Sequence, residues 1–225
     1  MSHWQTLLDR TIRGLEALKQ DGQTTPDWVL GGGTALMIWA DHRLSRDIDA
    51  FIDDAQYLNI LSPRMGGEQV WNCEAYDEAS QYLKLRYPEG EIDFIVAATI
   101  TNVPTETKLI PAAGDIPEHR IIIEHPVEIA LKKLHYRGSQ MIPRDAFDIC
   151  VVDRLYPDLL KSQLGEVSSS REAILAAVDR IKRPFFETYL EHLDIRPEWQ
   201  DVGADCYTRI REILEAIPRN EPRPR

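Results

Sequence analysis

The sequence reads GGGTAL at residues 31–36 and SRDIDAF at residues 45–51. The first segment follows a short apolar run at residues 28–30 and precedes a helical pattern, so it predicts a glycine turn between a strand and a helix. In such a turn the backbone N–H groups can approach an anion closely, and the helix N-terminus adds positive potential. The second segment alternates apolar and polar side chains and predicts a strand over residues 48–52.

Asp47 and Asp49 stand two residues apart in the second segment. Side chains at i and i+2 of a strand point to the same side, so both carboxylates can reach one hard cation. Mg²⁺ binds a few carboxylate oxygens together with substrate phosphate oxygens, and Mn²⁺ is the alternative ion. The two segments together predict a nucleoside triphosphate (NTP) site with Gly32, Gly33 and Thr34 on the phosphates. Each motif alone is common, and the alternative is an ordinary strand–turn–helix unit with exposed acids.

Bulk composition narrows the class of protein. A net charge of −11 argues against a protein that coats nucleic acid non-specifically, although it is compatible with a local basic cleft. Hydrophobic residues at 43% and charged residues at 28% predict a packed core. Three cysteines without a CxxC pair predict reduced thiols in a cytoplasmic protein. No signal-peptide core begins the sequence, and no apolar run is long enough for a membrane span.

Periodicity predicts a mixed α/β arrangement in the first half of the chain, because helix-spaced and strand-spaced apolar patterns alternate there. A turn at residues 88–90 predicts a β-hairpin, since alternating segments flank it. The other predicted elements are helices over 4–18 and 55–61, strands over 70–73 and 121–123, and a connecting region over 101–119.

The second half of the chain is helical in pattern. Pro126 and Pro143 each suit the first turn of a helix, and further apolar stripes follow them. The predicted domains are therefore an α/β core over residues 1–118 and a helical domain over residues 119–225. The Pro- and Arg-rich tail at residues 219–225 is expected to be disordered.

Residues 32–36 and 45–49 resemble the first motif of the polymerase-β-type nucleotidyltransferases. They resemble in particular the AbiEii-type toxins of bacterial type IV toxin–antitoxin and phage-abortive-infection systems. The resemblance returns at Lys133-Leu134 and at RDAFDI, residues 144–149, where that family carries a Lys-Leu and then an Arg-Asp-x-x-Asp-Leu pattern. The motifs cover roughly residues 28–150. The resemblance implies a polymerase-β-like core with a mixed sheet, followed by a helical C-terminal domain.

The resemblance also implies a catalytic aspartate at Asp148, which would orient Lys133 or the nucleotide. Helix geometry places Lys133 at the edge of a buried apolar stripe and Lys132 nearly opposite. Lys133 is therefore expected to contact the triphosphate, and Lys132 to be a solvated surface charge. The alternatives are that both lysines only solvate the helix and that Asp148 pairs with Arg144 one turn away.

Asp93 lies on the strand that polymerase-β-type folds place beside the Asp-x-Asp strand. It is expected to hold a second metal ion or to act as general base, with simple solubility as the alternative. Arg46 and Arg43 flank the site and are expected to take phosphate oxygens or to balance the aspartates. His42 has no zinc-site spacing with other histidines or cysteines and is interpreted as an ordinary residue.

The family implies a Mg²⁺-dependent enzyme that moves a nucleoside monophosphate from an NTP to an acceptor. The tRNA 3′ end is the expected acceptor, and the expected biological role is that of a bacterial toxin with a cognate antitoxin. A protein or small-molecule acceptor is an alternative. A non-catalytic nucleotide-binding regulator is another, but the intact Asp47/Asp49 pair argues against it, because a decayed enzyme tends to lose metal ligands first.

Overall fold

The computed structural model describes residues 3–65 and 67–220. The chain divides into two compact units, each assembled from several segments. The sheet unit comprises Met1–Ala35, Ser45–Ala98 and Pro104–Glu124, and the helical unit comprises Leu36–Leu44, Thr99–Val103 and His125–Arg225. The predicted division between residues 118 and 119 stays a prediction. Of the tail predicted to be disordered, residues 221–225 lie outside the described residues.

The sheet unit contains seven strands and the helices between them. Helix α2, Gly32–Ala40, has its first turn in this unit. The other elements are α1 His3–Gln20, β1 Val29–Gly31, β2 Ile48–Ile52, α3 Gln56–Leu61, α4 Glu68–Trp71, β3 Ala75–Ala79, β4 Tyr82–Tyr87, β5 Gly90–Val96, β6 Glu106–Ile110 and β7 His119–Ile123, with a 3₁₀ turn at Pro63–Met65.

The strands form one mixed sheet in the order β3-β4-β5-β2-β1-β7-β6. Strand β2 runs antiparallel to β1 and parallel to β5, and β1 runs parallel to β7. Along β2 the residues Ile48, Ala50 and Ile52 are buried and alternate with half-buried Asp49 and Phe51. This alternation is the reason the segment forms a strand, because one face packs on the core and the other carries polar groups. The mixed sheet and the helical C-terminal region confirm the predicted fold class.

The helical unit is built around α6, which is buried along most of its length. Helices α5 and α10 pack against α6. None of the helices in the described part of the chain is long and apolar enough to cross a membrane. The elements are α5 Pro126–Lys132, a π-helical segment Lys133–Arg137, a 3₁₀ turn Gly138–Gln140, α6 Pro143–Leu155, α7 Pro157–Gln163, a 3₁₀ segment Leu164–Ser170, α8 Arg171–Arg180, α9 Arg183–Glu191, a 3₁₀ turn Pro197–Trp199 and α10 Gln200–Glu215.

Three sequence predictions are wrong. The strand expected over residues 70–73 is instead the end of helix α4, because four residues are too few to distinguish the two periods. The region expected to be a connection over residues 101–119 contains strand β6, whose alternation is hidden between prolines. Lys132 was expected to be solvated but is buried, because all seven residues of α5 are covered.

Candidate functional site

The glycine turn lies directly against the carboxylate of Asp49. Gly32 has a φ of +65°, which favours glycine, and a Cβ atom added to it would lie 1.8 Å from Asp49 Oδ2. Only glycine therefore fits at this position while Asp49 keeps its place. Thr34 is fully buried, and its hydroxyl donates to the backbone carbonyl of Asp47 over 2.5 Å. The turn and the start of β2 are thus tied together.

A row of charged side chains crosses three strands beside this turn. Gly31 on β1 is the register partner of Asp49 on β2, Asp49 is the partner of Asp93 on β5, and Asp93 is the partner of Lys84 on β4. Register partners project from the same face of a sheet. The Lys84 ammonium lies 2.9 Å from Asp93 Oδ2. We call Asp49, Asp93 and Lys84 the carboxylate row; the Lys84 ammonium also bonds to the Glu91 carboxylate.

The electrostatics of the carboxylate row favour an additional cation. Burial raises the pKa of Asp93 to about 6; the Lys84 ammonium opposes this rise, and the Asp49 carboxylate adds to it. Asp93 Oδ1 is buried and has no hydrogen-bond partner. An acceptor-only oxygen of this kind remains available to a cation. Lys84 was not singled out for this site by sequence, although the predicted hairpin turn, with Tyr87 opposite Gly90, implies the pairing of residues 84 and 93.

The donor set fits a Mg²⁺ ion that also binds substrate. No cluster of three or more histidine, cysteine or acidic side chains able to hold a metal occurs among the described residues. A pair is nevertheless enough, because Mg²⁺ is usually held by one or two carboxylates, water and substrate phosphates rather than by an all-protein cage. Asp49 and Asp93 provide such a pair. A divalent ion there would satisfy the second oxygen of Asp93.

Asp47 has different surroundings from Asp49. Its Oδ1 atom accepts a hydrogen bond from the backbone N–H of Glu91 over 3.0 Å, which anchors Asp47 at the start of β5. A Cβ atom on Gly90 would lie 3.0 Å from the same oxygen, so the strand start approaches this carboxylate closely. Arg46 is exposed. Metal binding by Asp47 and phosphate binding by Arg46 stay predictions.

A second cluster lies in the helical unit, where Asp148 on α6 is fully buried. The Arg43 guanidinium donates two hydrogen bonds to its carboxylate, from Nε to Oδ1 at 2.7 Å and from an Nη atom to Oδ2 at 2.8 Å. His42 Nε2 lies 2.9 Å from Oδ1, and Lys133 Nζ lies 3.1 Å from Oδ2. Burial alone would raise the pKa of Asp148, but Arg43, Lys133 and His42 hold this pKa well below its usual range. Asp148 therefore stays ionised and cannot serve as a general acid.

The Lys133 ammonium contacts two carboxylates, both of which belong to α6. Its Nζ atom lies 2.9 Å from Asp145 Oδ1 in addition to its contact with Asp148, and Arg137 lies 3.2 Å from Asp145 Oδ2. Lys133 also begins the π-helical segment, and such segments are frequent at functional sites. We call Arg43, Asp148, Lys133, Asp145 and His42, with Arg137 at their exposed edge, the buried ionic network.

Sequence reasoning missed part of the buried ionic network. It explained Asp145 by the helix dipole alone, although an acid three residues before Asp148 shares its helix face. It treated His42 as ordinary, and no local pattern could have shown its contact, because 106 positions separate it from Asp148. Burial lowers the pKa of His42 more than Asp148 raises it, so this histidine is neutral.

Comparison with known families supplies one match. The family model described as "Nucleotidyl transferase AbiEii toxin, Type IV TA system" matches residues 15–219. The match includes the glycine turn, the carboxylate row and the buried ionic network. It confirms the resemblance carried by residues 32–49 and 133–149. No curated protein matches the chain.

Proposed function

The chain belongs to the AbiEii nucleotidyl transferase toxin family of type IV toxin–antitoxin systems, and we propose that it moves a nucleoside monophosphate from an NTP to the 3′ end of an RNA. A tRNA is the proposed acceptor, and the reaction requires Mg²⁺. The observation that carries this proposal is the placement of the Asp49 carboxylate against Gly32, in register with Asp93. This placement sets the glycine turn beside two acids, one of which, Asp93, has a buried oxygen without a hydrogen-bond partner.

Asp49 and Asp93 are the proposed metal ligands. Bound there, Mg²⁺ would offset triphosphate charge and lower the pKa of an attacking hydroxyl. Gly32 and Gly33 leave the turn backbone accessible, so that N–H groups can donate to phosphate oxygens. Because the pKa of Asp93 is about 6, this carboxylate is ionised at neutral pH and can bind a cation.

Lys133 is the proposed source of positive charge for the phosphates. Its support comes from the helical unit itself, where three cations, Arg43, Lys133 and Arg137, face two carboxylates. A fixed positive charge at Lys133 would stabilise the anion that develops in phosphoryl transfer. Asp148 orients Lys133 without exchanging a proton, and Arg43 orients Asp148.

The backbone around Arg43 is itself fixed. Leu44 N–H donates to the carbonyl of Asp194, and Arg196 N–H donates to the carbonyl of His42. A guanidinium held in this way can keep both of its bonds to one carboxylate, which gives geometric precision as well as energy. We therefore propose that Arg43 acts as a positioning residue for Lys133 through Asp148.

The biological role that we propose is growth arrest through modification of the acceptor RNA, held in check by a cognate antitoxin. A type IV system is implied by the family. Expression of the chain alone is expected to stop growth, and the Asp49→Asn variant is expected to relieve the arrest at equal protein level.

The test is label transfer. The protein is incubated with each of the four α-labelled NTPs, Mg²⁺ and total cellular RNA, and the RNA and protein fractions are separated. We expect label at RNA 3′ ends, and its loss in Asp49→Asn but not in Asp53→Asn, an exposed acid that directly follows the same strand. Transfer that survives Asp49→Asn would overturn the proposal, and so would label found only in protein.

A further inference from the structure

We propose that a groove in the helical unit binds one nucleotide of the single-stranded acceptor RNA, an inference that rests on the proposed function. The groove has a volume of about 490 Å³ and lies between the turn Gly138–Gln140, the end of α8 and the start of α9. A groove of this size suits a single nucleotide. Its lining includes Gln140, Arg180, Lys182 and Phe185.

Phe185 provides an exposed aromatic face. Its side chain is 59% exposed, whereas the next residue, Phe186, is 1% exposed and belongs to the core. The two consecutive phenylalanines therefore differ in role: Phe186 packs in the core, whereas Phe185 stays exposed beside the ring of Tyr189, with 6.1 Å between the ring centroids. An exposed ring at the edge of a groove can stack on any base, because every base has a π face.

Arg180 and Lys182 give the same groove a local positive charge. No acid lines the groove. No described carboxylate pairs with either cation, and the hydrogen bond found for Arg180 goes to the backbone carbonyl of Ser139. Neighbouring Arg183, in contrast, is neutralised by Glu187. On a chain with a net charge of −11, two such cations beside an exposed ring favour a phosphate-bearing ligand.

The combination indicates a single strand rather than a duplex. Bases in a duplex are already stacked on one another, whereas an unpaired end can place one base on Phe185 and its phosphates on Arg180 and Lys182. The exposed amide of Gln140 carries donors and an acceptor and can pair with a base edge. A free NTP also carries a base and phosphates, so the experiment must distinguish binding of RNA from binding of an NTP.

The experiment is an anisotropy titration of a fluorescent single-stranded RNA of about a dozen nucleotides with the full chain, without NTP. We expect Phe185→Ala to weaken binding roughly tenfold and Phe185→Tyr, which keeps the ring, to restore it. The double variant Arg180→Ala/Lys182→Ala is expected to lower affinity about tenfold and to reduce the dependence on salt concentration. The matched control is Lys161→Ala, an exposed lysine of α7, with less than a twofold effect expected.

Several results would overturn the assignment. These are equal affinity for Phe185→Ala and Lys161→Ala, equal binding of a duplex of the same sequence, or a Phe185 effect on free NTP but not on RNA. Failure of the proposed function looks different. If RNA binding depends on Phe185 but the wild type transfers no label, the transferase proposal is contradicted and the proposal of RNA binding in the groove stands. If the wild type transfers label but Phe185→Ala leaves RNA binding unchanged, only the proposal of RNA binding in the groove is contradicted.

Discussion

Asp93 in the sheet unit and Asp148 in the helical unit are the same residue type in opposite electrostatic surroundings. Asp93 shares the Lys84 ammonium with Glu91, keeps one buried oxygen without a hydrogen-bond partner, and has a pKa raised to about 6. Asp148 contacts Arg43, His42 and Lys133 through hydrogen bonds and ion pairs, and these hold its pKa well below the usual range. One carboxylate can still take a cation, and the other has completed its bonds.

This difference separates two roles of an aspartate, metal binding and the positioning of a lysine, which a sequence motif does not distinguish. A carboxylate that binds a metal must carry charge that the fold has not neutralised. A carboxylate that positions a lysine must be fully satisfied, because an unsatisfied buried acid would be costly. Asp93 meets the first condition through its buried Oδ1, and Asp148 meets the second through its bonds to Arg43 and His42.

The largest expected effect is on the stability of the buried ionic network. Asp148→Ala leaves Arg43 and Lys133 without their shared counter-ion in the interior, so the free energy of unfolding should fall by about 3–5 kcal/mol. Chemical denaturation measures this change. The control on the same helix is Asp153→Ala, whose partner Arg209 is 43% exposed and whose loss should cost less than about 1 kcal/mol. Equal losses in the two variants would contradict the account.

Gly32→Ala is expected to disturb the carboxylate row. The added methyl group competes with Asp49 Oδ2 for the same space, so NTP-transfer activity should fall about 100-fold, a barrier change of about 3 kcal/mol. Gly22→Ala is the matched control, because Gly22 also has a positive φ but nothing lies within 4 Å of its Cβ position. A similar loss of activity in Gly22→Ala would mean that backbone strain alone, rather than contact with Asp49, explains the effect.

Cation binding should depend on pH through Asp93. Its pKa is raised above the ordinary value of 3.8 to about 6, so the carboxyl is protonated below that pH and ionised above it. Mn²⁺ affinity, measured by electron paramagnetic resonance, should rise by up to about tenfold between pH 5 and pH 7 and then level off. Asp93→Asn should bind more weakly and show no such step. A step that persists in Asp93→Asn would assign the titration to another group.

The smallest expected effect comes from Lys84→Met. This change removes the ammonium paired with Asp93, so the pKa of Asp93 should rise further, and Mn²⁺ affinity above pH 7 should increase roughly two- to fivefold. The readout is the same Mn²⁺ titration, with Lys108→Met as a control on a strand outside the carboxylate row. A weaker affinity would show that Lys84 helps to build the site rather than competing for it.

Local patterns predicted the parts of the fold that depend on local physics. The alternation around Asp49 predicted strand β2 with its observed bounds, and the hairpin turn placed β4 and β5 side by side. Strands β3 and β6 were not predicted. All five residues of β3 are exposed, so no apolar period marks that strand.

The sequence predicted more of the carboxylate row than of the buried ionic network. The carboxylate row joins residues on strands that the hairpin and the Asp-x-Asp motif had already predicted, so its acids were found. The buried ionic network depends on Arg43 and His42 meeting Asp148 across more than 100 positions. Only tertiary packing creates that contact, and neither helix periodicity nor spacing within a motif carries information about it.

The most direct test of the central claim locates the metal. Fe²⁺ is bound in place of Mg²⁺, ascorbate and peroxide are added, and the sites of backbone cleavage are mapped by mass spectrometry. We predict cuts beside Gly32, Asp49 and Asp93, suppressed by excess Mg²⁺ and absent in Asp49→Asn. Cuts that map elsewhere, or that persist unchanged in Asp49→Asn, would contradict the claim that the carboxylate row and the glycine turn form one cation site.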